Sequence, residues 1–177
     1  MNLLEIKNSM KVIRICDRKN YSIDTPEVIR YAARGVVIKN NRILLTQSTK
    51  YGDNKIPGGG IEDNESPIET LIREVHEETG YRVITSSIKP FGYYEEKRKG
   101  LKEDAIFHQV SFYYFCEVED IPDSLSLTSS EIEFGYHPVW KPFDEAIKEN
   151  EAIINIEYNG TWITRELEVL KALKAAQ

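Results

Sequence analysis

The spacing of apolar and polar residues changes several times along the chain, and each change marks an element. Residues 31–38 and 42–46 are strongly apolar runs on either side of Asn40-Asn41. Asparagine tolerates positive φ, so the pair predicts a hairpin turn. From Ser66 the pattern becomes helical, with Ser66 as N-cap, Pro67 at the first helical position, Glu69 three residues after the cap and Gly80 as the stop. Residues 82–94 and 105–118 read as strands around a charged loop, 95–104, expected as a solvated hairpin tip in preference to a basic lid over phosphates. In the second strand Val110, Phe112, Tyr114, Cys116 and Val118 alternate with Ser111, Tyr113, Phe115 and Glu117, so both faces are largely apolar, as in an interior strand. Shorter strands are expected at 11–16 and 138–140, and a short helix at 142–150. The tail, 161–176, is amphipathic, with Ile163, Leu167, Leu170 and Leu173 on one side. Mixed strands flanked by helices predict an α/β (α+β) fold, an α/β/α sandwich with a mixed β-sheet between the helices.

Length adds that 177 residues suit one domain, read as residues 30–177 behind an N-terminal extension, 1–29. The extension could complete a homodimer interface or add an edge strand. A net charge of -6 argues against a nucleic-acid partner, but not against an anionic small substrate, because bound divalent metal reverses the local sign. Cys16 and Cys116 lie in apolar strand-like runs and read as free thiols. The first residues lack a basic stretch followed by an apolar one. Nothing approaches the roughly 20 apolar residues of a membrane span, so the expectation is a cytoplasmic protein with no membrane partner.

The helix after Ser66 concentrates the chemistry. At about 100° per residue, Ile68, Leu71, Ile72 and Val75 form the buried face, and Glu69, Arg73 and Glu77 form an i, i+4 column of alternating charge. Glu74 and Glu78 share the remaining flank with Glu77. Three carboxylates there repel one another and the helix C-terminal dipole. A solvated acidic helix end accounts for them, and so does a hard divalent cation, which favours oxygen ligands. Gly58-Gly59-Gly60, just before the helix, lets backbone approach a ligand closely.

Written from Gly59, the segment is Gly, five residues, Glu65, seven residues, then Arg73-Glu74-Val75-His76-Glu77-Glu78-Thr79-Gly80. It resembles the signature of the Nudix hydrolases at Gly59, Glu65, Arg73, Glu74, Glu77, Glu78 and Gly80. It departs at Tyr81, where the family usually has an aliphatic residue. The resemblance implies a Nudix-type sandwich and metal-dependent hydrolysis of a nucleoside diphosphate linked to another moiety. It implies Mg2+ or Mn2+ held by Glu74, Glu77, Glu78 and the Gly58 backbone, with Glu65 and Arg73 as the supporting pair. Gly58, Gly59 and Gly60 are then substrate-binding, and an extra glutamate outside the helix, Glu131 or Glu133, is the candidate general base or ligand. Arg34 is read either as a substrate contact or as half of a structural ion pair.

The secondary marks of the ADP-ribose, diadenosine-polyphosphate, coenzyme A and NADH subfamilies are absent or misplaced. The substrate is therefore expected to be a nucleotide of the nucleoside triphosphate or nucleotide-sugar kind. Two alternatives stand beside it: removal of the 5′ pyrophosphate from RNA, and a sensor domain that binds a nucleotide without cleaving it.

Overall fold

The computed structural model describes residues 2–100, 105–154 and 162–177. The chain opens with α1 (Leu3–Ser9), β1 (Val12–Asp17) and β2 (Glu27–Val36). β3 (Ile38–Lys39) and β4 (Arg42–Ser48) flank Asn40 and Asn41, whose φ of 52° and 59° make the expected tight turn. β5 (Asn54–Lys55) and β6 (Gly58–Gly60) lead into α2 (Pro67–Thr79). Then follow β7 (Lys89–Lys99), β8 (Ile106–Phe115), α3 (Ser129–Phe134), β9 (Tyr136–Pro142), α4 (Phe143–Ile153) and α5 (Trp162–Ala175).

The strands form two sheets rather than one. The larger is mixed, in the order β1-β7-β8-β2-β6, with β1–β7 and β8–β2 parallel and the other pairs antiparallel. In the smaller sheet β4 pairs antiparallel with β9 along its whole length and with β3 and β5 over shorter stretches. Side chains alternate along the strands and so divide the core in two. Val36, Ile43, Leu45, Tyr94 and Tyr113 pack with Phe143 of α4 and Val169, Leu170 and Leu173 of α5. Ala33, Val37, Leu44, Tyr93, Phe112 and Tyr114 pack with Leu71 and Val75 of α2. The result is the α/β/α layering expected from the pattern.

The strand ends differ from the sequence reading. Of residues 82–94, Thr85–Ser87 form a 3-10 turn and the strand starts only at Lys89. β7 instead runs on through the stretch expected as a solvated tip. Glu96 and Arg98 there are only 3% and 7% exposed, because they point inward at i and i+2 and pair with each other at 2.9 Å. Residues 101–104 of that loop, and Thr161 at the head of the last helix, lie outside the described residues. Helices α1 and α3 were not expected, although each opens on a capping box, Asn2 with Glu5 and Thr128 with Glu131. The N-terminal residues join the fold directly, since β1 forms the edge of the larger sheet and Leu3, Ile6 and Met10 pack against the α2 side of the core. No helix among the described residues is long and apolar enough to cross a membrane.

Helix α2 begins and ends as its sequence dictates. The Ser66 hydroxyl accepts from the Glu69 amide, the Glu69 carboxylate accepts from the Ser66 amide, and Gly80 closes the helix at φ 74°. Its seat is Gly35 on β2, where an added Cβ would stand 2.5 Å from Val75 Cγ2 and 2.7 Å from Leu71 Cδ1. We expect Gly35→Ala to lift α2 off the sheet and cost about 1–3 kcal/mol by overpacking. Melting should fall by roughly 2–4 °C per kcal/mol, readable by calorimetric melting. An unchanged melting temperature would show that α2 is not seated there.

Candidate active site

Arg73 organises the outer flank of α2. Its Nε and Nη2 donate to the two Glu65 oxygens at 2.7 and 2.9 Å, a bidentate pair, and the Thr70 hydroxyl donates to Glu65 Oε2 at 2.8 Å. The hydrogen bonds from Arg73 hold the Glu65 carboxyl down at about 2. Arg73 Nη1 also donates to Glu74 at 2.7 Å and to Glu77 at 3.1 Å. The expected i, i+4 column is only half formed: Arg73 meets Glu77, whereas Glu69 is occupied capping the helix.

The inner flank meets the glycine strand. Glu78 Oε2 accepts from the Gly58 amide at 2.9 Å. Desolvation pushes the Glu78 carboxyl up to about 8, against the opposing effects of Gly58 and Arg34. Desolvation likewise raises Glu74, more than Arg73 lowers it. This close approach needs glycine. A Cβ on Gly59 would lie 2.3 Å from Glu74 Oε1, and Gly58, at φ +145°, would drive a Cβ to 2.2 Å from the Ala33 carbonyl oxygen. β6 is fixed in turn by its register with β2, Gly58 opposite Arg34 and Gly60 opposite Ala32.

These elements enclose a cleft of about 540 Å³ whose lining includes Gly58, Gly59, Gly60, Arg73, Glu74, Glu77, Glu78 and Glu131 together with Arg30, Arg34 and Lys55. Glu131 and Glu133, expected in one loop, are separated by the turn of α3. Glu131 faces the cleft, its carboxylate also accepting from the Thr128 amide at 2.7 Å. Glu133 points away and pairs with Lys50 at 3.3 Å. Arg34 makes an ion pair, its Nη1 standing 3.8 Å from Glu166 and donating to the Ile56 carbonyl at 2.8 Å, and it also lines the cleft. The basic wall, Arg30 and Lys55 included, was missed at the sequence level. The available signal was the even spacing of Arg30 and Arg34, which puts both on one face of β2.

The carboxylates are close but not gathered. Among the described residues no three His, Cys, Asp or Glu side chains form a group that could hold a metal ion as they stand. The reason is visible: Arg73 holds Glu74 and Glu77 to one side, and the Gly58 amide holds Glu78. The donor set nevertheless suits a hard divalent cation. All candidate ligands are oxygens, and two of the carboxyls are desolvated without a cationic partner that offsets the burial. Two histidines and three tyrosines are engaged elsewhere. His76 pairs with Asp123 at 3.2 Å, and His108 sits between Glu27 and Glu95 at 2.5 and 2.7 Å. Tyr93 and Tyr94 are core residues, and Tyr51 packs on Phe134.

A sequence model of the NUDIX domain matches residues 29–158. Among curated proteins the chain is similar to a probable DHNTP pyrophosphohydrolase of Lactococcus lactis, 24% identical over 120 residues covering 63% of this chain and 69% of that protein. It is similar to an RNA pyrophosphohydrolase of Pseudoalteromonas translucida, 34% identical over 77 residues, covering 40% of this chain and 45% of the relative. An ADP-ribose pyrophosphatase of Methanocaldococcus jannaschii is 34% identical over 83 residues, covering 45% and 48%. The matches thus span about half the length of the last two relatives. Among solved structures, a NUDIX hydrolase from Nitrosomonas europaea superposes with a TM-score of 0.55 at 19% identity, over 80% of this chain and 90% of that one. A MutT NUDIX hydrolase from Burkholderia pseudomallei gives 0.52 at 19%, over 67% and 86%. The structural matches show a shared fold, the domain match covers most of the sequence, and the chain belongs to the Nudix hydrolase family.

Proposed function

We propose that this chain hydrolyses a phosphoanhydride bond in a nucleoside diphosphate linked to another moiety, of the nucleoside triphosphate or nucleotide-sugar type, with Mg2+ or Mn2+. The observation that carries the reading is the meeting of opposite charges in one cleft. Glu74, Glu77, Glu78 and Glu131 line it together with Arg30, Arg34 and Lys55. Divalent metals are common in this family. Here Glu74, Glu77, Glu78 and the Gly58 carbonyl would hold the ion, which polarises phosphoryl oxygens and lowers the pKa of water when bound. The names of the relatives, all pyrophosphohydrolases or pyrophosphatases, agree with this bond type.

The roles of the chain's own groups follow from their positions. Arg30, Arg34 and Lys55 attract and orient the diphosphate oxygens. Glu131 is the proposed base, since it reaches the cleft from a separate element while Glu133 does not. Arg73 and Glu65 position Glu74 and Glu77, so loss of the pair should act through the ligands. The runner-up, RNA 5′-pyrophosphate removal, draws support from the likeness to RNA pyrophosphohydrolases, including a 28% identical stretch of 128 residues in the Francisella tularensis protein. The net charge of -6 weighs against it.

The test is magnesium-dependent phosphate or pyrophosphate release across nucleoside triphosphates, nucleotide sugars and 5′-triphosphorylated RNA. Release from the first two classes is expected. Release from RNA alone would select the runner-up. No release together with thermal stabilisation by one nucleotide would identify a sensor. Glu78→Gln should lower kcat by at least roughly a hundredfold and Glu65→Gln by roughly 10–100-fold, both with melting intact. Glu131→Gln should cut kcat while Glu133→Gln leaves it near wild type; the reverse order would remove Glu131 from its proposed role.

The raised Glu78 carboxyl sets a pH dependence. The folded, metal-free protein keeps that proton up to about 8, whereas the unfolded chain releases it near the ordinary glutamate value. Between those limits the folded state binds more protons, so stability contributed by this group declines as pH rises. Chemical denaturation of the EDTA-treated protein should show that decline, and Glu78→Gln should flatten it. Mn2+ affinity should rise over the same window, because binding displaces the proton. A pH-independent affinity would contradict the assignment.

A further inference from the structure

Behind the basic wall of the cleft lies a second cavity, of about 310 Å³, which shares Arg30, Arg34 and Lys55 with it. Its remaining lining is Glu96, Arg98, Phe107, Gln109, Trp162 and Arg165. We propose that this chamber binds an anionic group, a phosphate or carboxylate, on the part of the substrate remote from the scissile diphosphate. The inference rests on the hydrolase reading of the adjoining cleft.

The charge balance carries it. Five cations, Arg30, Arg34, Lys55, Arg98 and Arg165, face three buried carboxylates, Glu96, Asp53 and Glu166. Each of those carboxylates is already shared. Glu96 lies 2.9 Å from Arg98 and 3.9 Å from Arg165. Glu166 takes the Ile56 amide at 3.1 Å, Arg165 at 3.0 Å and Arg34 at 3.8 Å. Asp53 lies 3.4 Å from Lys55 and also accepts from Tyr136 and Trp162. Arg30 is left over. It has no hydrogen bond or ion pair among the described residues, and its guanidinium lies over Gly60, 3.1 Å from where a Cβ would be. Its nearest opposing charge, Glu74, is itself held by Arg73. The Nε of Arg34, in a residue only 8% exposed, also has no partner.

Arg30 is exposed at the mouth, where repulsion from Arg34 and Arg165 opposes its charge. The charge shut away from water is that of Arg34, Arg98 and Arg165, with Lys55 half-buried beside them, and an entering anion would offset it and give the unpartnered Arg34 Nε an acceptor. A nucleobase would call for mixed donors and acceptors, and the chamber supplies mostly donors, with Gln109 the only amide. Aromatic rings hold the cations in place instead. Arg98 lies 4.3 Å from the centre of Phe107, and Lys55 lies 5.1 Å from that of Trp162.

Two measurements test this on the full chain. The first is calorimetric titration with inorganic pyrophosphate in EDTA, read through Arg98, which lines the chamber and not the cleft, because Arg30, Arg34 and Lys55 line both. One saturable site is expected. It should weaken by about tenfold in Arg30→Gln and in Arg98→Gln, and should not weaken in Glu78→Gln. Arg30 is shared with the cleft, so Arg98→Gln is the discriminating variant, and the nucleotide-sugar comparison on the wild-type chain keeps the test valid if that variant fails to fold. Absence of saturable binding, or binding unchanged in a folded Arg98→Gln chain, would overturn the proposal. The second compares magnesium-dependent kcat/KM for UDP-glucuronate and UDP-glucose, which differ by one carboxylate. The charged sugar should be preferred by about tenfold, through KM, and Arg98→Gln should abolish the preference. Equal values in the wild-type protein would overturn the chamber's role. Turnover of neither, with nucleoside triphosphates also left uncleaved, would count against the hydrolase reading, leaving the calorimetry to decide the chamber separately.

Discussion

The placement of every candidate catalytic group depends on how closely α2 can approach β2 and β6. Gly35 admits Leu71 and Val75 onto the sheet, and Gly59 leaves room for the Glu74 carboxylate, whose Oε1 would stand only 2.3 Å from an added Cβ. The Gly58 amide then reaches Glu78 at 2.9 Å. Side chains at these positions would move the helix outward or turn the carboxylates away from the strand. The apolar packing of α2 and the chemistry of its polar flank are therefore one constraint. The helix is held against the sheet by Leu71 and Val75, and that contact desolvates Glu74 and Glu78 on the next face.

Charge is sorted by element around this contact. α2 and α3 bring carboxylates, while β2, β5, β7 and α5 bring cations. Each side alone would be unfavourable at this burial. Arg73 tempers the acidic side by engaging Glu65, Glu74 and Glu77 at once. Glu96, Glu166 and Asp53 temper the basic side. What remains is a divided cleft, suited to a cation on one wall and the anionic oxygens of a phosphate chain on the other, with the excess of positive charge continuing into the chamber behind.

The sequence made α2 legible almost to the residue, because capping box, N1 proline and C-terminal glycine are local signals that tertiary context did not override. The hairpin at Asn40-Asn41 was legible for the same reason. The layering followed from strand and helix periodicity. The length of β7 did not, since Glu96 and Arg98 read as surface charge until their inward pairing with each other and with Arg165 is seen. Burial of paired charges depends on partners distant in sequence, and alternation alone cannot announce it. α3 was a different case. Thr128, Glu131 and Gly135 carry the marks of a capped helix, and reading them as loop placed Glu131 and Glu133 together when the helix turns them apart. The basic wall drew on β2, β5, β7 and α5, so only the assembled fold brought it together.

The proposed cation site of Glu74 and Glu78 depends on the close seating of α2 on the glycine strand. Mn2+ titration followed by electron paramagnetic resonance, comparing the wild-type chain with Gly59→Ala, tests it most directly. The added methyl meets only the mobile end of Glu74 within 3 Å, so the fold should persist by circular dichroism. Tight Mn2+ binding in the wild type, and loss of about tenfold or more in Gly59→Ala, is the predicted result. Equal binding by the two proteins would contradict the claim.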